Sequence, residues 1–143
     1  MDNFIKIIDS KMNIYNNVME LFDFFYNYNL IDWQNYRSNF FKSDDKCYQK
    51  YILNKTDRYE LILIKWDKNA ETEIHSHPEN GCLLKVLEGE LKEEKYLNES
   101  KYKESIIKKN LTSYMHDNFG KHKITALEDS YSIHLYSPSG YYK

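Results

Sequence analysis

Two histidines one residue apart, His75 and His77, stand in the stretch IHSHPENGCLLKVLEGELKE, residues 74–93. On a strand, alternate side chains leave the same face, so both imidazoles would point one way and could grip one ion. Imidazole serves iron, zinc, copper and nickel alike, so the pair alone does not choose the metal. A third imidazole would have to come from His116, His122 or His134, the other histidines of the chain. His122 lies in FGKHKI, after a glycine and at the head of an expected strand, whereas His116 lies in the polar run MHDN, which reads as a solvated loop. His134 belongs to SIHLYSPSG, residues 132–140. Alternation there sends Ser132, His134 and Tyr136 to one face and Tyr131, Ile133 and Leu135 to the other. A polar row opposed to an apolar row ordinarily marks a solvent face, and that reading stands beside a functional one. Cys82 has a plain reading too, as a small buried hydrophobe.

These residues need strands to hold them. Tyr59–Trp66 (YELILIKW) is an apolar run bounded by polar turns. Gly81–Leu87 and Glu90–Tyr96 flank Glu88-Gly89 as the arms of a hairpin would. Further strands are expected over Glu104–Asn110, Lys121–Leu127 and Tyr131–Tyr136. Ahead of them, Ile14, Val18, Leu21, Phe22 and Phe25 recur at helical spacing, which predicts a helix over about Asn13–Leu30 with one face in the core. A second short helix is expected over Asp32–Phe41. The fold class is therefore mostly β, a barrel or sandwich prefaced by one or two N-terminal helices. Its 143 residues make one domain, about 1–45 helical and about 46–143 the barrel.

Composition narrows the function classes. Hydrophobic residues make up 41% and Gly and Pro are few, which fits a packed core and not a disordered chain. A formal net charge of -2 provides no basic field for nucleic acid. Nothing approaches the ~18 apolar residues of a membrane span. The opening MDNFIKIIDSKMN interrupts its apolar residues with charges, so a secretory leader is not expected. Cys47 and Cys82 are then expected to be reduced thiols in a cytoplasmic setting.

The spacing His75-x-His77-x4-Cys82-x6-Gly89 resembles the first motif of the cupin superfamily, with Cys82 where most metal-binding cupins have glutamate. Losing that carboxylate leaves a neutral site, whose metal keeps its full charge to attract an anionic ligand such as a thiolate. His122 stands where the second cupin motif has its ligand. HSHPENGC with the following LKVLEGELKE, and SIHLYSP far downstream, together resemble the cysteine dioxygenases; Trp66 also fits. The similarity covers roughly Tyr48 to Gly140, and the helical N-terminus matches only in kind.

The resemblance implies a mononuclear Fe(2+) held by His75, His77 and His122. It implies that Cys82 and Tyr136 become a covalent thioether beside the iron, and that Ser132 and His134 hold the tyrosine by hydrogen bonds. Tyr48-Gln49-Lys50 falls where the family has a Tyr-x-Arg substrate clamp. The chain departs here, with Lys50 in place of arginine and Arg37 and Arg58 its only arginines. It departs again at Ala126, where many cupins have asparagine. The implied reaction is oxidation of L-cysteine by O2 to cysteine sulfinic acid. The expected partners are a small thiol and O2, with no nucleic acid and no membrane, acting on a cytoplasmic monomer. Lys50 keeps a sibling thiol open, 3-mercaptopropionate or cysteamine. From other classes, a zinc- or manganese-binding cupin that is not an oxygenase and a metal-free structural cupin remain as rivals.

Overall fold

The computed structural model describes residues 1–37, 48–116 and 119–140. Cys47 and residues 38–41 of the expected second helix lie outside them. Eight strands form two sheets among the described residues. The five-stranded sheet has the order β1(Tyr48–Lys55), β2(Glu60–Trp66), β8(Ser130–Tyr136), β3(Cys82–Glu88), β6(Thr112–Met115). The three-stranded sheet has the order β5(Ser100–Lys108), β4(Glu90–Leu97), β7(Lys121–Ala126). Every pairing is antiparallel.

The stretch Leu61–Ile64 is a continuous apolar run because β2 is covered on both sides. Leu61 and Leu63 belong to one cluster with Leu83, Ile133, Leu135 and the helical residues Phe4, Ile8, Val18, Leu21 and Phe25. Ile62, Ile64 and Trp66 belong to another with Cys82, Leu84, Leu91, Ile124 and Tyr136, between the two sheets. Burial of one such side chain is worth about 1.5–3 kcal/mol, so both faces of the large sheet favour its register. The same two-sided covering decides the fate of SIHLY. Its polar row is not a solvent face: Ser132, His134 and Tyr136 are buried between the sheets, and Tyr131, Ile133 and Leu135 are buried under the helices.

The helical preface differs from expectation. Helix α1 is Asp2–Met12, burying Phe4, Ile8 and Met12 at intervals of one turn. Asp2 and Lys6 lie on its solvent side, and Asp9 accepts a hydrogen bond from the Tyr59 hydroxyl at 3.0 Å. The single helix expected over Asn13–Leu30 does not form. Asn17 accepts a hydrogen bond from the Met19 amide at 2.8 Å and starts a 3-10 turn, Val18–Leu21, followed by α2, Phe22–Asn27. Side-chain capping of this kind ends one segment and begins another, and it leaves Ile14 in solvent. The expected second helix is a 3-10 segment over Ile31–Tyr36. Lys85, on β3, fastens this layer to the sheet. Its buried ammonium donates to the carbonyls of Phe25, Tyr26 and Tyr28 at 3.1, 3.0 and 2.7 Å.

Glu88-Gly89 is not a hairpin turn. β3 and β4 belong to different sheets, and the chain crosses between them there. Gly89 has φ +87, and a Cβ on it would lie 2.2 Å from Ser130 Oγ, so only glycine makes this corner. A two-residue hairpin joins β4 and β5 instead, at Asn98 and Glu99, both with positive φ as a type I′ turn requires.

Candidate metal centre and its tyrosine

His75 and His77 are not on a regular strand. The segment that bears His75 runs irregularly along the outer edge of β7. Asn69, Thr72 and His75 donate their amides to Ala126, Ile124 and His122 at 2.8, 2.9 and 2.9 Å. His122 returns a bond from its amide to the His75 carbonyl at 3.1 Å, so the two residues form an isolated antiparallel bridge. Directly opposed residues present their side chains on one side. The imidazoles of His75 and His122 consequently meet, with Nε2 atoms 2.8 Å apart. His77 joins them, its ring centroid 4.2 Å from that of His122. One ring nitrogen of each of the three lies within 4.8 Å of the others. His116, the polar-loop candidate, follows β6 and is outside this cluster, and His134 is in a separate network.

The tautomers follow from the partners. His75 Nδ1 lies 2.9 Å from the Glu73 carbonyl and His122 Nδ1 lies 2.8 Å from Glu93 Oε2. A carbonyl and a carboxylate only accept, so both Nδ1 atoms carry protons. Their Nε2 atoms then face each other across 2.8 Å, close enough to share one cation, a proton or a metal ion. Burial, reinforced by neighbouring His122, pushes His75 down to about 4. His77 is pushed down to about 2 by burial and then by His122 and His75. A proton on His75 or His77 is thereby disfavoured, and a donor set of three imidazoles fits a divalent transition metal.

Glu93, on β4, escaped the sequence reading. It is 2% exposed and accepts from Ser113 Oγ at 2.7 Å through its other oxygen, with Lys95 Nζ at 3.8 Å. Burial pushes its carboxyl up, but the bonds from His122 and Ser113 outweigh that and leave it below the ordinary glutamate value. Its signal was available: in ELKEE, alternation puts Leu91, Glu93 and Lys95 on one face, and an inward carboxylate needs a partner.

Beside the histidines lies the tyrosine network. Cys82 on β3 is directly opposite Tyr136 on β8, and both are buried between the sheets. Trp66 Nε1 donates to Ser132 Oγ at 2.8 Å, Ser132 Oγ lies 2.7 Å from His134 Nε2, and His134 Nδ1 lies 3.0 Å from Tyr136 Oη. Full satisfaction of the buried Ser132 hydroxyl requires its proton to go to Nε2. His134 therefore carries its proton on Nδ1 and donates to Tyr136, whose own hydroxyl proton is turned away from His134. Burial, with Lys50 and the other histidines, drives the His134 value well below the ordinary one, so the ring stays neutral. Burial, with Glu93, raises Cys82 well above the usual thiol value.

Lys50 pairs with Ile64, and Tyr48 with Trp66, in the β1–β2 register, so both share the inward side of Ile64 and Trp66. Lys50 Nζ is 6.0 Å from the Tyr48 ring centroid, and its charge depresses both His75 and His134. Neither arginine joins it. Arg58 Nη1 donates to the Met12 and Asn13 carbonyls at the end of α1. Arg37 stacks on Trp33 and Tyr131 and pairs with Glu88 at 2.9 Å. Ala126 is buried in the inner cluster as packing.

The family model described as Cysteine dioxygenase type I matches residues 3–141. The chain is 31% identical over 124 residues to "Cysteine dioxygenase type 1" of Bos taurus, which covers 79% of this chain and 60% of that protein. The chain thus spans about 60% of the length of that curated relative. Among solved structures, a RmlC-like cupin from Shewanella frigidimarina superposes with a TM-score of 0.58 at 16% identity, covering 70% of this chain and 84% of that one. KdgF from Halomonas sp. gives 0.58 at 22% identity, covering 73% and 89%. The fold is that of the cupins, two facing β-sheets behind short N-terminal helices.

Proposed function

The chain belongs to the cysteine dioxygenase family, and from that premise we propose that it oxidises a small thiol with O2 to the sulfinic acid, with L-cysteine as the substrate. The observation that carries this reading is the presence of three convergent imidazoles with a buried Cys–Tyr pair, which a cupin binding zinc or manganese for another purpose would not need. His75, His77 and His122 would hold Fe(2+), with the tautomers already described. Bound there, ferrous iron supplies a Lewis acid for a thiolate and an electron donor for O2.

The chain's own residues do the rest. Tyr136 is the catalytic hydroxyl. With His134 donating to its oxygen, its proton is available to a reacting group near the three histidines, and its ring is held by the Ser132–His134 chain. Neutral His134 orients it without adding charge. Lys50 attracts the substrate carboxylate, and Tyr48 packs beside it on Trp66, ring centroids 5.0 Å apart. Cys82 and Tyr136 are candidates for a thioether. Sγ would bond to the ring carbon beside the hydroxyl, with the thiol and ring hydrogens and their two electrons passing to O2.

A second reading has a specific observation behind it. Lysine offers a mobile point charge where arginine offers a two-pronged fork, and both arginines are committed elsewhere. A looser clamp tolerates 3-mercaptopropionate, and cysteamine needs none. The experiment is oxygen uptake by iron-loaded protein against a panel of small thiols, with product masses. Uptake with cysteine and a product heavier by two oxygens supports the proposal; no uptake with any thiol overturns it.

A further inference from the structure

We propose that Glu93 is a positioning residue for the metal centre, the anionic charge of a cupin site moved from direct ligation to the rear of His122. The inference rests on the reading of His75, His77 and His122 as iron ligands. Where most metal-binding cupins have glutamate in the first motif, this chain has Cys82, buried and protonated against Tyr136. A carboxylate has nevertheless been kept inside, on the other sheet. Glu93 is on β4 and His122 on the neighbouring β7, two residues out of register and so diagonal neighbours on one face, since Glu93 pairs with Ile124 and Lys95 with His122. Its Oε2 accepts from His122 Nδ1 at 2.8 Å.

Three features separate this contact from incidental packing. Both partners are nearly completely buried, at 2% and 3% exposure, so the charge acts across little solvent. The second oxygen is fixed by Ser113, which comes from β6 of the opposite sheet, so the carboxylate cannot swing away. The bond also lies behind the nitrogen that faces His75 and His77. A carboxylate on Nδ1–H draws that proton toward itself and makes Nε2 a stronger donor. The site thus holds a cation more tightly, and the higher charge of ferric iron gains more than ferrous. Glu93 sets the ligand's orientation and lowers the potential of a metal held there.

The test is Glu93→Gln, which keeps the shape and removes the charge, read by iron affinity and Fe(III)/Fe(II) midpoint potential beside the wild type. The expected loss of Fe(II) affinity is about 10–100-fold. A further tenfold loss for Fe(III) appears as an upward shift of about 59 mV in potential. A folded Glu93→Gln protein with wild-type affinity and potential overturns the proposal. Should that variant fail to fold, Ser113→Ala leaves the carboxylate and removes the hydroxyl that fixes it behind His122. Its potential is expected to rise, and an unchanged or lower one overturns the proposal. A wild type that binds no iron overturns the ligand reading and this inference with it, an outcome distinct from iron binding that ignores Glu93.

Discussion

Cys82 and Tyr136 are direct cross-strand partners on β3 and β8, and both point into the space between the sheets. Opposed residues in an antiparallel pair have Cβ atoms about 4.5–5.5 Å apart, close enough for a thiol to reach a phenol ring. If the two are joined during turnover, protein exposed to iron, thiol and air should lose two hydrogens by intact mass and run as a faster denatured band. Tyr136→Phe should lower turnover by roughly 10–100-fold and abolish that band. Unchanged mass after many turnovers, with full activity in Tyr136→Phe, would mean the pair is packing only.

Metal retention separates the histidines. Alanine at His75, His77 or His122 removes one of three donors and should abolish iron retention after gel filtration. His116→Ala should keep it, because His116 is outside the cluster. Full iron content in His122→Ala would contradict the assignment.

Much of this site was legible in the chain because spacing and strand alternation are local. His75, His77, Cys82 and the row Ser132, His134, Tyr136 follow from residues a few positions apart. What was not legible depends on how strands pair. The polar row of β8 reads like a solvent face until the helical layer is known to cover its other side. Glu88-Gly89 reads like a hairpin because the same glycine signal serves a corner between sheets. His75 lies on an irregular edge, and only the bridge to His122 brings the two together. Glu93 was passed over because its partner is 29 residues away. The helix over Asn13–Leu30 failed for a local reason, the Asn17 cap, which outweighed an apolar spacing that was real from Val18 onward.

The buried imidazoles make metal-free protein sensitive to acid. In the fold His75 is held to about 4, His77 to about 2 and His134 well below its ordinary value. The unfolded chain takes up protons near pH ~6.5; the folded one does not. Stability from these groups is therefore complete above that pH and lost as pH falls, for His75 down to about 4. Each such imidazole contributes about 1.4 kcal/mol per pH unit in that window. Denaturant titrations of chelator-treated protein should show midpoints falling steeply between about pH 6.5 and about pH 5. Midpoints level across that range would show that the imidazoles are not held neutral.

Lys50 can be tested by comparing two substrates. A charge-assisted hydrogen bond is worth roughly 1.5–3 kcal/mol, so Lys50→Ala should raise the apparent KM for cysteine about tenfold or more. Lys50→Arg, which offers a fork, should lower it. Cysteamine lacks the carboxylate and should respond far less to either change. Equal responses of the two thiols would show that Lys50 does not read a carboxylate.

The most direct measurement is the fate of oxygen. Iron-loaded protein should consume one O2 for each cysteine, and in heavy-oxygen gas both labelled atoms should appear in a single sulfinic acid product. Uptake without both atoms in the product, or disulfide as the only product, would contradict the account of this chain as a thiol dioxygenase.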